Sequence, residues 1–146
     1  GSEMCIRDSF HCTYGDGLGD INIEELVNFH KNSKKKSTVT AVRPPARFGS
    51  LKINNSSDFP YVESFSEKPI GDSMWINGGF FIFDPSIFKK SIPDDAVLET
   101  DILPSLVQDR ELSVYKHESF WHPMDTIRDK NILEELWESG KAPWKL

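Results

Sequence analysis

Two short stretches of this 146-residue chain set carboxylates where a charged ligand can reach them. Thr13 to Asp20 reads TYGDGLGD and holds Asp16 between Gly15 and Gly17 directly after a short apolar run; Trp121 to Asp129 reads WHPMDTIRD and holds Asp125 just ahead of an amphipathic segment. A glycine-flanked aspartate also makes an ordinary turn, and Asp125 also fits a helix N-cap. Thr126 with Asp129 three residues on can cap that same helix as a box, which leaves Asp125 to face a cleft. Brought to about 5 Å, two carboxylates repel by on the order of 3 kcal/mol at an effective dielectric near 20. A bound cation removes that penalty. Mg²⁺ is the fitting ion, because it is hard, keeps several waters and is usually held by one or two carboxylates together with substrate phosphates.

A third stretch, SFSEKPIGDSMWINGGFF from Ser64 to Phe81, adds complementary chemistry. Lys68 is a compact point charge suited to a phosphate, and Glu67 and Asn77 offer the acceptors and donors that read sugar hydroxyls. Taken singly, EKP is equally a surface turn and NGG a turn or bulge. His11, His30, His117 and His122 lack zinc spacing, and His30 falls on a helix face where packing is its role. The four tryptophans read as packing or interface residues, and no serine or cysteine nucleophile arrangement is visible.

The elements that must position these groups follow from pattern. Phe10–Tyr14 reads as a strand, Asn22 as an N-cap with Glu25 completing a capping box, and Ile23, Leu26, Val27 and His30 as one apolar helix face. Ser37–Val42 is a β-branched strand; strand, helix, strand is the parallel βαβ signal. Leu51–Ile53, Tyr61–Phe65, Ile76–Phe83 and Leu112–Tyr115 are further strands. Short helices are expected from Pro85 and over Asp101–Gln108, the latter capped by Thr100. A last helix covers Thr126–Ser139 with Ile132, Leu133, Leu136 and Trp137 inward, closed by Gly140. The architecture expected is α/β, with a mixed, mainly parallel sheet flanked by helices. In such sheets ligands sit beyond the carboxyl ends of the strands, where Asp16 lies.

Composition narrows the rest. With 38% hydrophobic and 27% charged residues the chain is ordinary for a soluble domain, and no apolar run approaches the roughly 20 residues that cross a bilayer. Net charge is −6, and the basic run Lys31–Ser37 reads as a solvated helix exit rather than a nucleic-acid face. Cys5 and Cys12 form no disulfide framework, which points to a reducing, cytoplasmic setting. Residues 1–9, GSEMCIRDS, read as a non-native leader ahead of a single domain over 10–146.

In order along the chain, YGDG, the RFG of Arg47–Gly49, EKP, INGGFF and FWHPMDTIRD resemble the sugar-phosphate nucleotidyltransferases. The tail LWESGKAPWK is similar to the cytidylyltransferase branch of that family. The resemblance implies a Rossmann-like fold and a Mg²⁺-dependent reaction of CTP with glucose 1-phosphate that yields CDP-glucose and pyrophosphate for O-antigen and lipopolysaccharide synthesis; transfer of another base or onto another hexose 1-phosphate, and a noncatalytic sugar-phosphate-binding or assembly module, are the alternative readings. Residue by residue it implies Asp16 and Asp125 as metal ligands, Gly15 and Asp16 beside the nucleotide, and Gly49, Glu67, Lys68, Asn77 and Gly78 around the sugar phosphate. It implies no catalytic group apart from the metal ligands. The family's glycine-rich phosphate loop has no counterpart here. Residues 10–146 are therefore expected to be the C-terminal portion of a nucleotidyltransferase domain, inactive alone, and a homo-oligomer at full length through its tryptophan-rich tail.

Overall fold

Apolar β-branched and aromatic runs build a central sheet in the computed structural model, which describes residues 9–44, 50–54, 61–66, 75–89, 93 and 95–145. The elements are β1 (Phe10–Thr13), β2 (Gly17–Gly19), α1 (Ile23–Ser33), β3 (Ser37–Val42), β4 (Ser50–Asn54), β5 (Tyr61–Ser66) and β6 (Ile76–Phe83). A 3₁₀ turn (Pro85–Lys89) and a π-helical turn (Leu98–Ile102) follow, then α2 (Leu103–Gln108), β7 (Leu112–His117), β8 (Trp121–Pro123) and α3 (Ile127–Glu138). The main sheet has the order β1-β6-β3-β7. β6 runs antiparallel to both its neighbours, while β3 and β7 pair in parallel from Ser37↔Leu112 to Val42↔His117. Three strands thus point one way and one is reversed, a mixed α/β sheet. β1 and β3 run in the same direction on either side of α1, as expected, but β6 is inserted between them. Strand-helix-strand patterning sets relative direction and says nothing about which later strand fills the gap.

The sequence FFIF of β6 is apolar throughout because both of its faces are covered. Phe81 and Phe83 stack at 5.4 Å on one side and pack with Ile87 and Leu106. Ile82 faces the other side and packs with Leu26 of α1 and with Ile21 just ahead of that helix. Side chains on successive strand residues point to opposite faces, so one strand supplies both cores. Opposite β3 the pairing shifts from Val39↔Phe81 to Ala41↔Asn77, so β6 bulges at Gly78–Phe80.

Several local expectations change in detail. Asn22 does cap α1, its side-chain oxygen accepting from Glu25 N at 3.0 Å, but the Glu25 carboxylate accepts from Tyr115 Oη instead of closing a box. Helical structure before α2 begins at Leu98 rather than Asp101, and Thr100 is not the cap. Thr100 Oγ1 donates to Asp101 Oδ2, and that carboxylate takes the Val97 N–H at 2.8 Å. Pro104 sits in the first turn of α2, as its missing N–H requires. α3 carries the full box: Thr126 Oγ1 accepts from Asp129 N, and Asp129 Oδ2 accepts from Thr126 N. Leu133 is buried beneath it, whereas Trp137, expected inward, is 51% exposed and lies under Lys145 Nζ at 4.5 Å. α1 ends at Ser33 with Lys34 in the left-handed region at φ 54°, so Lys34–Lys36 form an exposed helix exit. Residues 1–8 lie outside the described residues. Among the described residues no helix is long and apolar enough to cross a membrane.

His30 is buried against the sheet, with Nδ1 2.8 Å from Thr38 Oγ1 and Nε2 3.1 Å from Ser9 Oγ. Burial pushes its pKa below the ordinary 6.5, which the nearby Asp84 only partly offsets. The unfolded chain therefore takes up this proton at higher pH than the folded one, so His30 lowers stability as pH falls below about 6.5 and has no such effect above it. Urea midpoints should fall on acidification through that range, and His30→Gln should make the fall shallower; an unchanged slope would refute the assignment. Leu26→Ala should cost about 2–5 kcal/mol in the same measurement, far more than Trp137→Ala.

Candidate functional site

β1, β3 and β7 end at one edge of the sheet, and β6 begins there. From that edge the chain leaves β1 through Tyr14, Gly15 and Asp16 into β2, which pairs antiparallel with β8 at Gly17↔Pro123, Leu18↔His122 and Gly19↔Trp121. Met124 N donates to Asp16 O at 2.7 Å, extending the contact one rung further. Opposed residues of such a pair lie roughly 4.5–5.5 Å apart at Cα, so Asp16 and Asp125, the residue after Met124, stand on adjacent backbone positions. Both are exposed. The N-cap of α3 is Thr126, so capping does not consume Asp125. Among the described residues no group of three or more His, Cys, Asp or Glu comes together. A metal held at the aspartate pair would therefore take its remaining ligands from substrate and water.

Buried polar groups hold β8 in this register. His117 Nε2 lies 3.0 Å from Phe120 O and also 3.0 Å from Asp20 Oδ1. One ring proton cannot serve both, and the Phe120 carbonyl has the hydrogen-bond geometry, which leaves Asp20 Oδ1 in contact with the ring but without a hydrogen bond. Asp20 Oδ2 accepts from Ser119 Oγ at 2.6 Å. On the far side His122 Nε2 meets the buried Asp129 at 3.1 Å, tying β8 to the cap of α3.

The glycines separate into two kinds. A Cβ on Gly78 would lie 2.7 Å from Val42 Cγ1 and 3.0 Å from Thr40 O, and one on Gly79 would lie 2.7 Å from the Tyr14 ring at a φ of +78°. Packing and backbone conformation account for both. On Gly17 it would touch Trp121, whose Nε1 donates to Gly78 O at 2.9 Å. Gly15 differs: a Cβ there would meet nothing within 4 Å among the described residues, and no left-handed φ calls for glycine. The space beside Asp16 is open to something other than the protein.

Asn77 stands at the start of the bulge with its amide engaged at both ends. Oδ1 accepts from Gly79 N at 2.9 Å, and Nδ2 donates to Tyr14 Oη at 3.1 Å. Tyr14 Oη in turn donates to Glu99 Oε1. Burial, together with Glu99, pushes the Tyr14 pKa up to about 12, against a smaller opposing effect of Asn77. Along the same edge Arg43 and Lys116 lie 4.9 and 5.4 Å from the centre of the Trp75 ring. Gly49, Glu67 and Lys68 lie outside the described residues. Sequence reasoning passed over Tyr14 and Glu99. Tyr14 had a signal, its position directly before Gly15; Glu99, 85 residues away, had none.

Gly15→Ala should leave thermal stability within about 0.5 kcal/mol of the parent, whereas Gly78→Ala should cost about 1–3 kcal/mol through overpacking. Equal losses in a melting experiment would remove the distinction between the two glycines.

Residues 3–136 match the sequence profile of the Nucleotidyl transferase family. The chain is 49% identical over 138 residues to glucose-1-phosphate cytidylyltransferase of Salmonella typhimurium, covering 94% of this chain and 52% of that protein. It is 37% identical over 143 residues to a probable glucose-1-phosphate cytidylyltransferase of Bacillus subtilis, covering 95% and 53%. A crystal structure of a putative glucose-1-phosphate thymidylyltransferase from Bacillus anthracis in complex with a sucrose superposes with a TM-score of 0.62 at 19% identity, over 97% of this chain and 57% of that one. That likeness concerns the fold alone. The chain spans about half the length of the relatives it matches. The profile match over most of the chain shows that it belongs to the nucleotidyl transferase family.

Proposed function

We propose that this chain supplies the metal-binding and sugar-phosphate half of a glucose-1-phosphate cytidylyltransferase. A phosphate oxygen of glucose 1-phosphate attacks the α-phosphorus of CTP, the bond from that phosphorus to the bridging oxygen of the β-phosphate breaks, and CDP-glucose and pyrophosphate result. The observation that carries this reading is the unfilled position at Gly15 beside Asp16, paired through backbone to the Asp125 loop, in a chain 49% identical to a protein of that name.

The donor set fits Mg²⁺: two exposed carboxylates on adjacent backbone positions, with no nitrogen or sulfur ligand grouped with them among the described residues. Asp16 and Asp125 would hold the ion, which when bound neutralises charge on the reacting phosphates. The chain's own part is positioning. The β2–β8 pairing brings the two aspartate-bearing segments together, and the bare Gly15 lets a phosphate or ribose approach the main chain. Asn77 and Gly78 lie on the same edge of the sheet, and Gly49, Glu67 and Lys68 are assigned to the sugar phosphate by family resemblance. In phosphoryl-type transfers such positioning and charge neutralisation supply most of the rate. We assign the product to O-antigen and lipopolysaccharide synthesis in the cytoplasm, and the half-exposed Trp137 with its neighbours to a subunit interface in a homo-oligomer.

In the enzyme carrying this chain within its complete reading frame, Asp16→Asn and Asp125→Asn should each lower pyrophosphate release from CTP and glucose 1-phosphate by at least about 100-fold. Chelation should abolish turnover and added Mg²⁺ should restore it. Full activity in both variants would refute the metal assignment, and preference for UTP or dTTP in competition would refute the base. The 146-residue chain alone should show little or no turnover.

A further inference from the structure

We infer that Tyr14 and Glu99 are positioning residues that lock the Asn77 side chain as a hydrogen-bond donor toward a hydroxyl of the hexose 1-phosphate, an inference that rests on the reading just given. Gly79 N–H can only donate, so the Asn77 atom 2.9 Å from it is the amide oxygen. That leaves the NH₂ end, with two N–H donors, on the other side. One of them goes to Tyr14 Oη at 3.1 Å. Tyr14 accepts it with a lone pair because its own proton is committed to the Glu99 carboxylate. The three groups form a chain of one polarity, from Asn77 N–H to Tyr14 O–H to Glu99, and among the described residues the second Asn77 N–H has no partner, which lets it meet a ligand. If the amide flipped, two donors would face each other at Gly79, and Tyr14 would lose its donor partner.

The tyrosine is held rigidly enough to do this. Its backbone N–H donates to Gly79 O at 2.8 Å, and its ring meets Phe81 edge-on at 5.5 Å. The same ring fills the space a Gly79 side chain would need. Glu99 comes from the π-helical turn Leu98–Ile102, a rare wide turn of the kind that recurs at functional sites. The next residues after Tyr14 are Gly15 and Asp16, so one tyrosine joins the bulge that carries Asn77 to the loop that carries the metal-binding aspartate.

The test is steady-state kinetics of the complete enzyme carrying Tyr14→Phe, Glu99→Ala or Glu99→Gln. Loss of one oriented hydrogen bond predicts a KM for glucose 1-phosphate raised about five- to tenfold in Tyr14→Phe and Glu99→Ala, with the KM for CTP, the Mg²⁺ requirement and kcat nearly unchanged. Glu99→Gln keeps an acceptor for Tyr14 and should restore most of the affinity. Among monodeoxy analogues of glucose 1-phosphate, one should no longer distinguish Tyr14→Phe from the parent, because it lacks the hydroxyl that Asn77 contacts. An active enzyme whose sugar-phosphate KM ignores these substitutions overturns the positioning role alone. So does a uniform loss in kcat and both KM values together with a lowered Tm, which marks a purely structural part. No turnover in the parent enzyme with any nucleotide and hexose 1-phosphate overturns the functional reading and this inference with it.

Discussion

Everything at the candidate site depends on a short antiparallel contact between β2 and β8, three residues each, with Met124 N bonded to Asp16 O just past its end. Neither strand has enough length to be stable as an isolated ribbon. The pairing survives because its flanks are anchored: Trp121 Nε1 on Gly78 O, His117 and Ser119 on Asp20 and its neighbours, and His122 on the buried Asp129. These anchors tie the ladder to the sheet on one side and to the cap of α3 on the other. The ladder brings the backbone of Asp16 against Met124, the residue before Asp125, so two segments more than a hundred positions apart in sequence meet through main-chain pairing.

The bulge in β6 is the second constraint. Inserting residues opposite Thr40 twists the strand where it enters the sheet, and that turns Asn77 and the Gly78–Gly79 pair toward the edge from which β1 exits. Glycine is required at both positions for internal reasons, one for the close approach of Val42 and one for the Tyr14 ring and a left-handed φ. Gly15 has no such internal reason. The contrast separates glycines that the packing requires from one at an exposed bend that the packing does not require.

Local signals in the sequence carried far. The bounds of β3 and β6, the Asn22 and Thr126 caps and the placement of Pro104 all follow from short-range chemistry, and the structure repeats them. Where expectation and structure part, a distant group competes for a local one. Pattern places Glu25 in its own helix cap, but Tyr115 of β7 claims its carboxylate. Thr100 is expected as a cap, but its hydroxyl donates to the Asp101 carboxylate, which also takes the Val97 N–H, and the helical turns start earlier, at Leu98. Trp137 falls on the apolar stripe by periodicity, yet the helix packs on one face only and leaves it half in solvent.

Residue types and spacing, by themselves, determined that carboxylates stand where two strands end, that Thr126 and Asp129 could form a capping box, and that the ordered motifs resemble one family. Those properties lie within a few residues of chain and need no partner from elsewhere. Only the tertiary structure decided that β6 enters between β1 and β3, that the Asp16 and Asp125 loops meet, and that Tyr14 reaches Glu99. Such contacts join segments widely separated in sequence, and their energy comes from burial and pairing that exist only once the whole sheet is assembled.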